Sequence, residues 1–208
     1  MRVRLRRGRS VRVIVVLLAA LVVPFGNVAA AGPGGGRAVA LVDRLARADD
    51  PSAAFAALLP QDQTAVIGYL TVVNVTEVST LGPAAGDPGA VTTAASGCWT
   101  WTWQRDGRNS LGGVLWSYFQ KIDWCGNGST ITSTPQRLRW GETYYPFWSW
   151  RHIGNQTWGG LGQTSYRAWT QGEFKLCVTP DVGCVQFSYP WLDMTAWGDG
   201  RGTGSVGG

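Results

Sequence analysis

Few residues of this chain could do chemistry, and the cysteines come first. Ser96-Gly97-Cys98-Trp99 has the outline of a thiol nucleophile, with His152 and Asn155 further along as base and orienter. Two features count against it. Activated thiolates favour helix N-termini, whereas Trp99, Trp101 and Trp103 alternate with Thr100 and Thr102 at the two-residue period of a strand. Cys98, Cys125, Cys177 and Cys184 are also an even set, which in an exported chain reads as two disulfides with no thiol left over. No Cys-x-x-Cys spacing occurs and His152 is the single histidine, so a metal site is not expected, nor is a cofactor.

A carboxylate-based hydrolase would need two acids roughly 5–10 Å apart across a substrate. The candidates after residue 96 are Asp106, Asp123, Glu142, Glu173, Asp181, Asp193 and Asp199. Asp106, Asp181 and Asp199 fall where turns are expected, leaving Glu142 and Asp193 least explained, and no pair stands out. No catalytic residue is therefore assigned.

The aromatic residues offer binding chemistry. Twelve tryptophans all lie between Trp99 and Trp197, more than core packing alone asks of about a hundred residues. Trp and Tyr left facing solvent give flat apolar platforms with a donor at the edge, suited to sugar rings. Trp148, Trp150 and Trp158, with Tyr144, are the candidate ligand-binding residues, Trp148 and Trp150 having the spacing that puts two rings on one strand face. The bland alternative is that these rings fill the core.

Residues 1–30 read as a secretory signal peptide. Arginines at 2, 4, 6, 7, 9 and 12 precede an uncharged run, Val13 to Phe25, and small residues from Val28 to Ala31 fit a cleavage site. That run is 13 residues, short of the roughly 20 a bilayer-crossing helix needs. The formal charge of +5 includes those six arginines; beyond them 12 basic residues meet 13 acidic ones. The basicity that would point to nucleic acid thus sits in the signal, and neither a nucleic-acid partner nor, after cleavage, a membrane is expected.

The exported part reads as mainly β. Residues 31–78 form a short helical segment: Leu41, Val42 and Leu45 share a face, Asp50-Pro51 is a cap-and-start signal, and Pro60 opens a further helix through Val66, Leu70 and Val73. Residues 79–95, rich in Gly, Pro, Ala and Thr, read as a linker. Residues 96–200 read as an antiparallel sandwich or barrel of about eight strands that folds without the helices, with a turn at Asp106-Gly107, and 201–208 as a disordered tail. In one hairpin, setting Cys177 opposite Cys184 places Leu176 opposite Val185 and Phe174 opposite Phe187 on one face. By elimination Cys98 pairs with Cys125.

Gly97-Cys98-Trp99, Trp124-Cys125 before a Gly-rich turn, Ile131-Thr132-Ser133, and Phe174…Cys177…Gly183-Cys184 resemble a group of exported proteins of high-GC Gram-positive bacteria. The likeness spans roughly residues 97–200. It implies a β domain outside the cytoplasm and carries no activity. Three classes of function remain: a secreted binding module for a carbohydrate or cell-envelope component; a secreted inhibitor, toxin-like or structural protein; and a hydrolase.

Overall fold

The computed structural model describes residues 33–84, 96–179 and 182–208. The expected signal peptide, its cleavage site and residues 85–95 of the expected linker lie outside the described residues.

Among the described residues three short helices lead into nine strands: α1 Pro33–Ala46, α2 Pro51–Ala56, α3 Pro60–Leu70, β1 Asn74–Pro83, β2 Gly97–Arg108, β3 Val114–Gly126, β4 Gln136–Thr143, β5 Trp148–Gly159, β6 Ser165–Thr179, β7 Gly183–Ser188, β8 Trp191–Trp197 and β9 Gly202–Gly207. All pairings are antiparallel. One sheet runs β1-β2-β3-β4; the other runs β5-β6-β8-β9, with β7 added to β6. Both disulfides form as expected, Cys98–Cys125 across β2 and β3 and Cys177–Cys184 across β6 and β7.

The inner faces of the two sheets meet in the core. Trp116, Tyr118, Ile122 and Trp124 alternate along β3 and are fully buried, as their period of two requires. Trp116 stacks on Phe174 at 4.5 Å, the Tyr118 hydroxyl lies 2.7 Å from Thr170 Oγ1, and Gln120 Nε2 donates to the Ala168 carbonyl at 3.0 Å. Large rings fit here because glycines lie under them. A Cβ on Gly107 would stand 2.3 Å from the Trp116 ring, and one on Gly204 would meet Trp103 at the same distance. Gly107 therefore answers to close packing rather than to the expected turn. The strand continues through it to Arg108, and Asp106 is buried, accepting from Ser117 Oγ at 2.6 Å.

The helices share this core. The Asp50 cap forms, its carboxylate accepting from the Ala53 amide at 2.9 Å ahead of Pro51. Leu41, Val42, Leu45, Phe55, Val66 and Leu70 are buried in one cluster with Leu115, Trp116, Trp148, Phe174 and Leu176. Val73, expected on the α3 face, lies beyond the helix end and is exposed. The described residues from 33 to 208 cluster as one compact unit, the helices packing on the strands across the expected division near residue 96. Two further expectations give way to strand pairing. The start of the expected linker is β1, paired with β2 from Asn74↔Arg108 to Pro83↔Trp99, and the expected tail is β9, paired with β8. Glycine in β9 does not signal freedom there: Gly202 and Gly204 make room for Trp101 and Trp103.

The β6–β7 hairpin keeps its cysteine pair but not its expected register. A bulge beside Cys177 sets Leu176 opposite Gln186 and Lys175 opposite Phe187. The physical reason is Gln186, whose amide accepts from the Val72 N–H at 2.8 Å and donates to its carbonyl at 3.0 Å. With Gln186 turned toward the segment after α3, Val185 and Phe187 are left exposed.

Candidate functional site

The four aromatic residues singled out from sequence are placed in three different settings. Trp148 and Trp150 share a face of β5, and it is the inner one, opposite Leu176 and Phe174. Trp148 is buried at 5% exposure, with Nε1 donating to the Leu70 carbonyl at 3.0 Å, so it packs against the helices instead of facing solvent. Trp150 is 37% exposed at the core rim, its ring over Gly141 and beside Phe174. Tyr144 is 48% exposed on the other sheet, where its hydroxyl donates to Glu142 Oε2 at 2.8 Å. Nearby on that outer face Phe119 and Trp140 stack at 4.6 Å.

Trp158 stands apart because β5 changes face. The pairing with β6 slips between His152 and Gly154, leaving Ile153 as a bulge. Up to the bulge, even-numbered side chains point into the core; beyond it they point out. Trp158, 45% exposed, therefore lies on the outer face of the second sheet, opposite Arg167.

That outer face carries a groove of about 410 Å³ lined by Gln156 and Trp158 of β5, Arg167 and Trp169 of β6, and Trp191 and Asp193 of β8. Each strand presents these residues because the alternate ones are held inside: Ala168 and Thr170 on β6, Leu192, Met194 and Ala196 on β8, all fully buried. The groove continues into a depression of about 350 Å³ that shares Arg167 and Asp193 and adds Thr195, Thr203, Gly204 and Ser205.

Its chemistry is aromatic with a self-neutralised polar centre. Arg167 grips Asp193 with two parallel N–H donors, Nε to Oδ1 at 2.9 Å, and this bond holds the guanidinium pKa above its ordinary value. The same guanidinium lies over the Trp158 ring, 4.8 Å from its centroid, fixing that ring on one side. Trp191 folds flat over its cross-strand neighbour Gly207, where a Cβ would stand 2.4 Å from the ring, and the Trp169 ring edge lies over Gly154 at 2.9 Å. Both rings are half-buried and line the groove. Trp169 and Trp191 were not singled out by sequence, since alternation alone gives them no distinction. The signal that marks them, a glycine beneath each ring, becomes readable only once the register is known.

The hydrolase candidates are not assembled into a site. Cys98 is in a disulfide, and no free cysteine exists. His152 Nε2 does lie 3.2 Å from Asn155 Nδ2, and burial, then Arg139 and Arg137, push its pKa down, yet no thiol is there for it to activate. Glu142 is occupied by Trp140 Nε1 at 3.0 Å and the Tyr144 hydroxyl; Asp193 is occupied by Arg167. These two acids lie on the outer faces of different sheets and form no pair. Among the described residues no cluster of three His, Cys, Asp or Glu could hold a metal ion, and no helix is long and apolar enough to cross a membrane.

Comparison with protein-family models, curated proteins and solved structures finds no match to this chain.

Proposed function

We propose that the protein is a secreted, non-catalytic binding module that takes a carbohydrate of the cell envelope or its surroundings in the groove of Trp158, Trp169 and Trp191. The observation that carries this reading is the placement of three indole rings on one outer sheet face, Trp191 laid over the backbone of Gly207 and Trp169 with its edge over Gly154, around an ion pair that satisfies itself. Such rings present apolar faces to the C–H side of sugars, while Gln156 and Asp193 offer polar atoms to hydroxyls at the edges. The signal peptide expected from the sequence and the two disulfides suit the same compartment. The groove lining holds a single carboxylate, Asp193, engaged by Arg167, rather than the pair that glycoside hydrolysis uses, which favours binding over turnover.

The test is glycan-array binding by the purified exported chain, repeated with Trp158→Ala, Trp191→Ala and, as a control outside the groove, Tyr144→Ala. Each groove substitution is expected to weaken binding about tenfold, a loss of roughly 1.4 kcal/mol, and Tyr144→Ala to leave it unchanged. Failure of the native chain to retain any glycan, or equal binding by all variants, would discard the reading.

A further inference from the structure

The groove also carries information on what kind of carbohydrate it takes, an inference that rests on the glycan-binding reading above. Three observations narrow the class. The first is spacing. Gly154, Gln171, Trp191 and Gly207 form one cross-strand row over β5, β6, β8 and β9. The Trp169 ring reaches the β5 end of that row and the Trp191 ring covers its β9 end. Strands lie about 4.8 Å apart, so the two platforms are between two and three strand spacings apart, roughly 10–14 Å. One sugar ring cannot touch both; an extended chain of several can, running across the strands.

The second is twist. Neighbouring strands rotate by about 20–25°, so the sheet surface under the groove turns by roughly 40–75° over the two to three strand spacings between the rings. A rigid, flat surface of packed chains cannot lie on two planes so inclined, whereas a single solvated chain can follow them. The third is charge. Within the groove Arg167 is matched by Asp193, and along the same face Arg151 is matched by Glu173 through Nε–Oε1 at 2.7 Å. Among the described residues lining the groove no cation is left to draw a polyanion.

We propose that the groove holds one uncharged, extended, equatorially linked hexopyranose chain laid across β5-β6-β8-β9, and that it selects such a chain against crystalline polysaccharide and against anionic polymers. The Arg167–Asp193 pair then acts as a neutral spacer between platforms and presents Asp193 oxygens to hydroxyls.

Calorimetric titration of the intact exported protein with β-1,4-linked glucose and N-acetylglucosamine oligomers of two to six sugars tests this, beside depletion by microcrystalline cellulose and chitin and titration with polygalacturonate. In at least one neutral series affinity is expected to rise tenfold or more between the shortest and the middle lengths and then level off. Trp191→Ala should flatten that rise, lowering affinity for the middle lengths about tenfold, toward that of the shortest. Raising salt from 0.1 to 1 M should alter affinity less than twofold, and the crystalline solids should not deplete the protein. Salt-sensitive binding of polygalacturonate through Trp191, or retention on crystalline solid, would overturn this inference while leaving glycan binding in place. A length series without a step would overturn the two-platform arrangement alone. Absence of binding to all of these probes overturns the inference, and the glycan array then decides whether the broader reading falls with it.

Discussion

His152 lies on β5 at the start of the bulge, facing Arg139 and Arg137 of β4 and holding only Asn155, while its Nδ1 is buried without a partner among the described residues. Burial, then those two arginines, hold its pKa below the ordinary value of about 6.5. Above that pH the ring is neutral in both folded and unfolded chains, and its contribution to stability is fully present. As the pH falls below about 6.5 the unfolded chain takes up the proton first, so stability declines until the lower folded pKa has been passed. The urea midpoint should therefore drop as pH falls from about 6.5, and His152→Gln should remove that part of the decline. The depressed acids Asp62, held down chiefly by Arg37, and Glu173, held down chiefly by Arg151, act in a lower window, below about pH 4.5. If native and His152→Gln proteins gave parallel curves between pH 7 and 5, the imidazole would not be the titrating group. At this scale the sequence discloses residue types better than their roles. The excess of tryptophan is plain in it, as is the poor case for Cys98 as a nucleophile. Which tryptophans face outward is not, because the single extra residue Ile153 reverses the parity of β5 between Trp150 and Trp158.

At the scale of elements, β2, β3 and the two cross-strand disulfides were legible because alternation and cysteine parity are local signals. Elements made of glycine were not. Thr164 to Thr170 and Glu173 to Val178 look like two strands, yet β6 runs unbroken from Ser165 to Thr179 because Gly172 gives room to the Tyr118 ring rather than a turn. β9 reads as a tail for the same reason. The two bridges should differ in what they contribute. Cys98–Cys125 spans 27 residues and Cys177–Cys184 spans 7. On loop-closure entropy alone, removing the first should cost about 3.5 kcal/mol and the second about 2.4. Chemical denaturation of the Cys98→Ala/Cys125→Ala and Cys177→Ala/Cys184→Ala proteins measures both. A larger loss from the second pair would mean that native packing around the β6 bulge, and not the unfolded chain, sets the order.

For the whole molecule, the decisive question is whether the helices belong to the sandwich. Their sequence suggests an appendage: each is short, and a Gly- and Pro-rich stretch follows. Amphipathic faces say that a helix must pack, and leave open what it packs on. Here the partner is the sandwich itself. Trp148 donates to Leu70, Gln186 clasps Val72, Phe55 meets Phe147 edge-on at 5.7 Å, and the Tyr69 and Tyr145 hydroxyls lie 3.1 Å apart, raising the Tyr145 pKa to about 12. Burying a large apolar side chain is worth about 1.5–3 kcal/mol, so Leu41, Val42, Leu45, Phe55, Val66 and Leu70 together contribute on the order of 10 kcal/mol, as much as a domain's whole net stability. Removing residues 33–72 should therefore abolish cooperative unfolding of the remainder, where an independent β domain would keep it. Because a truncated chain can fail for other reasons, Leu45→Ala and Val66→Ala supply the finer test. Each should lower stability by about 2–4 kcal/mol, and the far-ultraviolet and tryptophan-fluorescence transitions should stay superimposed. All the tryptophans lie in the β part, so a helical transition that separated from the fluorescence one would show two folding units and return the helices to the status of an appendage.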